Sequence, residues 1–210
     1  MTFDPVHDPQ AAFRILLDAF ARPGTVHDLA PLARRLPGAE DATAVGAWGV
    51  VTRTLLDADA PFAVVPDATT AFARSVREVT GAPRVPLADA GHVLVPDPTT
   101  DPAPVLRAAR RGTLEDPHLG ATVVLAVDRL YGEGDAPRGH AARHATGYRI
   151  EGPGVDGTRS LWVAHRHAWA AARDEAVADV PVGVDVLLLD GEDRVAALPR
   201  STRAHAGGGP

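Results

Sequence analysis

The stretch PVGVDVLLLDGEDRVAALPRST, residues Pro181–Thr202, contains two apolar runs that flank a short acidic turn. The Asp190-Gly191 pair is typical of a tight turn between antiparallel strands, because both residues tolerate positive φ. This stretch therefore predicts a terminal β-hairpin, with Glu192 and Asp193 as turn residues. The second run ends at Arg200, Ser201 and Thr202. One guanidinium and two hydroxyls suit a phosphate or phosphonate contact, but they equally suit the polar end of a hairpin.

Upstream of this hairpin, short strands alternate with amphipathic helices, which is typical of an α/β domain with helices packed on a mixed sheet. We expect a three-layer-like arrangement in a single domain, residues 1–202. Residues 132–145 are Gly- and Ala-rich and predict a flexible insertion, and residues 203–210 predict a disordered tail. A first helix is predicted to follow a cap at Asp8, and further helices are predicted at 42–59, 68–81, 105–112 and 167–177. A first strand is predicted from Thr25, and further strands are predicted at 62–65, 92–95, 121–130, 146–152 and 158–164.

Composition excludes several classes of protein. The chain has 210 residues, no cysteine, 45% hydrophobic residues and a net charge of −6, and all 21 of its basic residues are arginine. Without lysine no side-chain Schiff base can form, so lysine-bound pyridoxal phosphate is excluded and no cofactor is expected. The acidic balance argues against nucleic acid as a partner. No apolar run is long enough to cross a membrane and no secretory signal is visible, so we expect a cytoplasmic protein.

Two pairs of histidines and one glycine turn are further candidates for a site. His140 and His144 have a metal-ligand spacing, but no glutamate or third ligand accompanies them, so no metal site is expected. His165 and His167 lie near two tryptophans and are interpreted as packing residues or caps. The EGPGV segment, which holds Gly152 and Gly154, could direct backbone N–H groups at an anion. A turn between two strands explains the same residues and is the preferred interpretation.

Several segments together resemble one family, the H subunit of the bacterial carbon–phosphorus lyase system, which degrades phosphonates. The resemblance extends from about Phe13 to Thr202. It departs from the family pattern at Val180, where an aromatic residue is usual, and at Ser201, where threonine is usual. The matching segments are AFRILLDAFARPGTV (12–26), LLDADAPFAVV (55–65), TGAP (80–83), RGTLEDPHLGATVVL (111–125), GPG (152–154) and VPVGVDVLLLDGEDRVAALPRST (180–202).

This resemblance implies a fold related to the pyridoxal-phosphate-dependent transferases, but without the cofactor. It implies a homodimer that assembles with the G, I and J subunits. With its G, I and L partners, the system joins an alkylphosphonate to the ribose C1′ of ATP and releases adenine, as ribose 1-methylphosphonate 5-triphosphate synthase. ATP or phosphonate is then a candidate ligand of Arg200, Ser201, Thr202, Gly152 and Gly154, while no catalytic residue is identified.

Two alternatives remain open. One is a stand-alone small-molecule enzyme that uses Arg200, Asp185 and a histidine. The other is a docking subunit that binds no ligand. No activated nucleophile or pair of acid and base groups can be assembled from the residues, so we expect a supporting subunit of a transferase that has no activity when isolated.

Overall fold

Ten strands form two sheets in the computed structural model, which describes residues 2–36, 46–67 and 70–207. Four neighbouring strands of the larger sheet pair in parallel, and two further strands extend it at one side through antiparallel pairs. This arrangement confirms the predicted mixed sheet. The larger sheet has the order β1-β9-β8-β4-β3-β2, with β1 His27–Asp28, β2 Phe62–Val64, β3 His92–Val95, β4 Thr122–Val127, β8 Asp185–Asp190 and β9 Arg194–Leu198.

The centre of this sheet is buried on both faces, and the residues of β4 and β8 between their first and last positions are all apolar. Val123 and Leu125 contribute to the hydrophobic core on one face, and Val124 contributes to the core on the other. A continuous apolar run, in place of an alternating one, is what a strand covered by helices on both faces requires.

Helices cover both faces of the larger sheet, as the alternation of elements predicted. Four helices pack on one face: α1 His7–Ala21, α2 Ala30–Ala33, α3 Gly46–Leu55 and α4 Thr70–Thr80. On the other face lie α5 Pro102–Ala108 and α6 Ala170–Ala176. The predicted starts of α3 at Ala42 and of α4 at Ala68 lie outside the described residues. The likeness to the pyridoxal-phosphate-dependent transferases stays a prediction.

Helix α1 begins earlier than its predicted cap at Asp8. The carboxylate of Asp4 accepts hydrogen bonds from the backbone N–H groups of Val6 and His7, at 2.8 and 3.0 Å. These hydrogen bonds lower the pKa of Asp4 to about 2. Asp8 is instead buried, where it binds the Arg35 guanidinium at 2.7 Å. It also accepts a hydrogen bond from the backbone N–H of Asp4 at 2.9 Å, so it ties the start of α1 to the segment after Ala33, while Asp4 is the residue that caps the helix.

The second sheet has four antiparallel strands in the order β10-β6-β7-β5 and packs against the α5 and α6 side. Its strands are β5 Arg129–Tyr131, β6 Ala145–Glu151, β7 Arg159–Ala164 and β10 Arg203–Gly207. One hydrophobic core contains side chains of both sheets, including Leu161 and Val186. The flexibility predicted for 132–145 stays a prediction, and Ala145 already belongs to β6.

Two expectations were wrong at this sheet. Arg203–Gly207 was expected to be disordered, but it pairs over five residues with β6 and buries the Ala204 side chain to 3% exposure. Residues 121–130 were expected to form one strand. The exposed Asp128 separates them into β4 and β5, which belong to different sheets. Within the described ranges, no helix is both long and apolar enough to cross a membrane.

Candidate functional site

Arg200 lies at the amino-terminal edge of the larger sheet, where it is held by Asp185, the first residue of β8. The guanidinium donates to both carboxylate oxygens of Asp185: Nε lies 3.3 Å from Oδ1 and 3.1 Å from Oδ2, and Nη2 lies 2.5 Å from Oδ2. The backbone N–H of Arg200 also donates to Oδ1 at 2.7 Å. Both side chains are about one-fifth exposed. Arg200 is thus fixed in a bidentate, largely buried ion pair.

The remaining contacts of Arg200 are to backbone carbonyls of the loop that precedes β4. Nη1 donates to the Pro117 oxygen at 2.5 Å, and Nη2 is 3.3 Å from the Gly120 oxygen. A Cβ atom on Gly120 would lie 2.2 Å from the Gly183 oxygen and 2.4 Å from Arg200 Nη1. Only glycine fits at this position. We call the group Pro117, Gly120, Gly183, Asp185 and Arg200 the Arg200 clasp.

A second arginine, which the sequence did not single out, holds the Arg200-Ser201-Thr202 turn from inside. Arg173 of α6 is fully buried, and its Nη2 donates to the backbone oxygens of Pro199 and Thr202 at 2.7 and 3.0 Å. Burial lowers the pKa of Arg173 to about 10, which leaves it charged at neutral pH. Its position in a helix next to Asp174 and Glu175 is typical of a surface residue, so only the packing of α6 reveals its role.

Gly152 and Gly154 lie in the turn between β6 and β7, in agreement with the preferred interpretation of this segment. Both have positive φ, of 136° and 80°. A Cβ atom on Gly152 would lie 3.0 Å from the Ser201 oxygen, and one on Gly154 would lie 2.0 Å from the Ala21 oxygen at the end of α1. The structure therefore brings Gly152 next to the terminal motif, whereas Gly154 contacts α1.

The polar groups at this edge mainly bind other groups of the same chain. The guanidinium of Arg200 is directed at a carboxylate and two carbonyls of the chain, and Thr202 is buried with 1% exposure. Ser201 alone among the three motif residues is exposed. A bound anion would compete with Asp185 for the same donors. Asp185 is equally engaged, so the pair is poorly placed to act as the acid and base of a stand-alone enzyme.

A crevice lies at the opposite, carboxyl-terminal edge of the sheet, between the ends of β4 and β8. The six residues of β8 separate it from the Arg200 clasp by about 16 Å, at about 3.3 Å per residue. Ligands of open α/β sheets bind outside the carboxyl ends of the strands, which is the edge where this crevice lies. The crevice has a volume of about 410 Å³, and its lining includes Trp48, Pro96, Asp128, Asp190 and Asp193.

Acidic groups dominate the crevice, but two of the three already serve the chain. Asp190 is buried and accepts from the backbone N–H groups of Leu130 and Arg194 at 3.0 Å each. Asp193, whose φ is 61°, accepts from the backbone N–H of Ala47 at 2.6 Å and so caps the start of α3. Asp128 is exposed. Asp190 also binds the guanidinium of Arg194, whose Nε lies 2.8 Å from Oδ2. The crevice thus offers hydrogen-bond acceptors, and the carboxylates of Asp128 and Asp193 repel a phosphate.

The histidines form no metal site within the part of the chain that the structure describes. The rings of His140 and His144 lie 4.7 Å apart beside the short 3-10 turn Ala141–Arg143. His165 accepts from the backbone N–H of His167 through Nδ1, at 3.1 Å, and His167 contacts the Thr99 oxygen. Burial lowers the pKa of His165. The second pair therefore fixes the loop before α6 and does not cap that helix, whose N-terminus has no side-chain cap.

Comparison with known proteins assigns the family. Residues 2–205 match the family model described as bacterial phosphonate metabolism protein (PhnH). A relative from Stutzerimonas stutzeri, named putative C-P lyase subunit protein HtxG, is 34% identical over 95% of this chain and 87% of its own length. Another from Rhizobium meliloti, named alpha-D-ribose 1-methylphosphonate 5-triphosphate synthase subunit PhnH, is 30% identical over 95% of this chain and 92% of its own length. The chain therefore belongs to the PhnH family of bacterial phosphonate metabolism proteins.

Proposed function

We propose that the protein is a subunit of a carbon–phosphorus lyase complex and supports the transfer of an alkylphosphonate to the ribose C1′ of ATP, with release of adenine. The match of residues 2–205 to the PhnH family carries this proposal. Two relatives that span nearly the whole chain are named as subunits, one of C-P lyase and one of ribose 1-methylphosphonate 5-triphosphate synthase. The proposed partners are a second copy of the chain and the G, I and J subunits.

The arrangement of charged groups favours a supporting role over independent catalysis. At the amino-terminal edge, Arg200 and Asp185 bind each other. At the carboxyl-terminal edge, the described residues that line the crevice include three carboxylates and no arginine, which does not favour a triphosphate there. Neither edge combines a nucleophile, a base and an anion contact in the described residues. The reacting groups are thus expected on partner subunits, with this chain stabilising their arrangement.

Reconstitution tests this function. The partner subunits are mixed with ATP and methylphosphonate, with and without this protein, and adenine release is followed by liquid chromatography. We expect release from the full mixture, none from the isolated protein, and a marked loss when this protein alone is omitted. Adenine release by the isolated protein would contradict the supporting role. An undiminished rate without it would contradict the function itself.

A further inference from the structure

The outer side of α1 exposes an unusual amount of apolar surface. Val6, Phe13 and Leu17 are between 52% and 59% exposed, and Val79 on the nearby α4 is 43% exposed. Phe13 and Leu17 are four residues apart and lie on one side of the helix, one turn from each other. Burial of their rings and methyl groups is favourable by roughly 25 cal/mol per Å², so this side of α1 gains stability when a partner covers it.

Two depressions extend this apolar area across the neighbouring helices. One, of about 420 Å³, is lined by residues that include Phe3, Pro9, Leu56 and Val79. The other, of about 370 Å³, is lined by Pro9, Gln10, Phe13, Arg14 and Thr54. Pro9 belongs to both, so the two depressions are adjacent. We call the area formed by these linings, with Val6 and Leu17, the α1 surface.

The charge of the α1 surface indicates the kind of partner. Arg14 and Arg53 are the charged residues in the described linings of the two depressions. Arg14 is exposed, while Arg53 is half-buried and its Nη1 donates to the Gly49 oxygen at 3.2 Å. Complementarity across an interface requires the opposite charge, so a partner that covers these two guanidinium groups must present carboxylates.

A second copy of this chain fits the α1 surface poorly. A two-fold contact places the same patch on both sides, so the arginines of both copies, four guanidinium groups in all, would lie in one interface with no carboxylate among the described linings. Like charges that meet in this way destabilise an interface.

Val6 to Leu17 covers about 16 Å of helix, at about 1.5 Å per residue, which matches about three turns of a helix laid alongside.

We propose that the α1 surface docks an amphipathic helix of a different protein, with apolar side chains at i, i+4 and i+7 and with Asp or Glu beside them. This mode of recognition places one apolar helix face in a groove between helices. The inference rests on the proposed function, since the helix belongs to a partner subunit of the complex. It adds the surface that is used and the chemistry of the segment that covers it.

The experiment compares the binding of three variants to the purified G, I and J assembly that lacks this protein. Phe13→Ser with Leu17→Ser should weaken binding at least tenfold, because it removes the exposed apolar anchors. Arg14→Glu should weaken binding several-fold at low salt and less at high salt, since the attraction is screened. Leu114→Ser is the matched control, because Leu114 is 72% exposed and is not in the linings of the two depressions. Thermal unfolding verifies that all variants are folded.

The outcomes separate the surface from the proposed function. Wild-type binding that persists in the Phe13→Ser, Leu17→Ser variant overturns the α1 surface and leaves membership of the complex intact. A wild-type dimer that becomes a monomer in this variant, with unchanged binding to the assembly, also overturns the inference and identifies a second copy as the occupant. Wild-type protein that does not bind the assembly contradicts the proposed function as well as the docking surface.

Discussion

Replacement of Arg200 by alanine should lower the free energy of unfolding and should have a smaller effect on the free energy of binding any anion. The substitution removes a bidentate ion pair with Asp185 and the bonds to two backbone carbonyls. Hydrogen bonds to charged groups contribute about 1.5–3 kcal/mol each, and breaking a fully buried ion pair costs about 3–5 kcal/mol. Because the pair is about one-fifth exposed, we expect a loss of about 3 kcal/mol in the free energy of unfolding.

Urea unfolding at pH 7, followed by circular dichroism, measures this loss. With a slope of about 2–3 kcal/mol per molar urea, a loss of about 3 kcal/mol lowers the midpoint by about 1 M or more. Asp185→Ala and the double variant complete a thermodynamic cycle, in which we expect a coupling free energy of about 1–2 kcal/mol. Arg203→Ala is the control, since Arg203 is an exposed arginine of β10.

Two results would refute this reasoning. A loss below about 1 kcal/mol in Arg200→Ala, with no coupling to Asp185, would mean that the clasp contributes little to stability. Unchanged stability combined with weaker binding of ATP or methylphosphonate would instead identify Arg200 as an anion contact. Calorimetric titration of both ligands into the wild type and Arg200→Ala distinguishes the two interpretations.

Three further predictions concern other parts of the fold. Gly154→Ala should cost more than about 2 kcal/mol in urea unfolding, because its Cβ meets a carbonyl of α1, whereas Gly157→Ala, at a similar φ with open space around it, should cost about 1 kcal/mol; equal losses would contradict the close approach. Asp193→Ala should lower the free energy of unfolding by about 1 kcal/mol, because it removes the cap of α3, whereas Asp193→Asn should retain most of the wild-type stability. Thermal unfolding of both variants measures the difference. Burial lowers the pKa values of His92 and His165 below 6.5, so the unfolded chain binds more protons and the free energy of unfolding should fall as the pH drops through 6.5. Each histidine accounts for at most about 1.4 kcal/mol per pH unit, and a His92→Gln variant with an unchanged slope would argue against this assignment.

The local signals in the sequence predicted most of the elements correctly. The Asp-Gly turn and its two apolar runs form β8 and β9, and the continuous apolar run from Ala121 forms the central strand β4. These patterns depend on neighbouring residues and on the spacing of apolar side chains, both of which a single sequence displays. The helices that flank the larger sheet could be predicted for the same reason, since their apolar stripes recur in the sequence with a period of about 3.6 residues.

Long-range pairing explains what the sequence did not reveal. The RAHAG segment has no strand-forming run of its own, and β10 exists because β6 offers it a full set of backbone partners. The break at Asp128 is equally invisible, because the following residues join a sheet whose other strands lie further along the chain. The Gly, Ala and His residues of β10 thus adopt the strand conformation because of tertiary contacts and against their local preference.

The residues of the candidate site could be singled out from the sequence, whereas their contacts within the chain could not; anion binding by them stays a prediction. Arg200, Ser201 and Thr202 were recognised as an unusual strand end, yet their partners Asp185 and Arg173 are 15 and 29 residues away along the chain. Arginine at a strand end suits an external anion and an internal carboxylate equally well. Only the position of Asp185 at the start of the adjacent strand decides which of the two it binds.

The order of strands in the larger sheet has a consequence for biosynthesis. Strands β2, β3 and β4 can pair as they leave the ribosome, but one side of β4 stays open until β8 has been made. Val123 and Leu125 are then part of an exposed, apolar strand edge, which is prone to aggregation. A nascent chain that stops before the Asp185–Leu198 hairpin is translated should therefore depend on chaperones, whereas a chain that extends beyond it can close its own sheet.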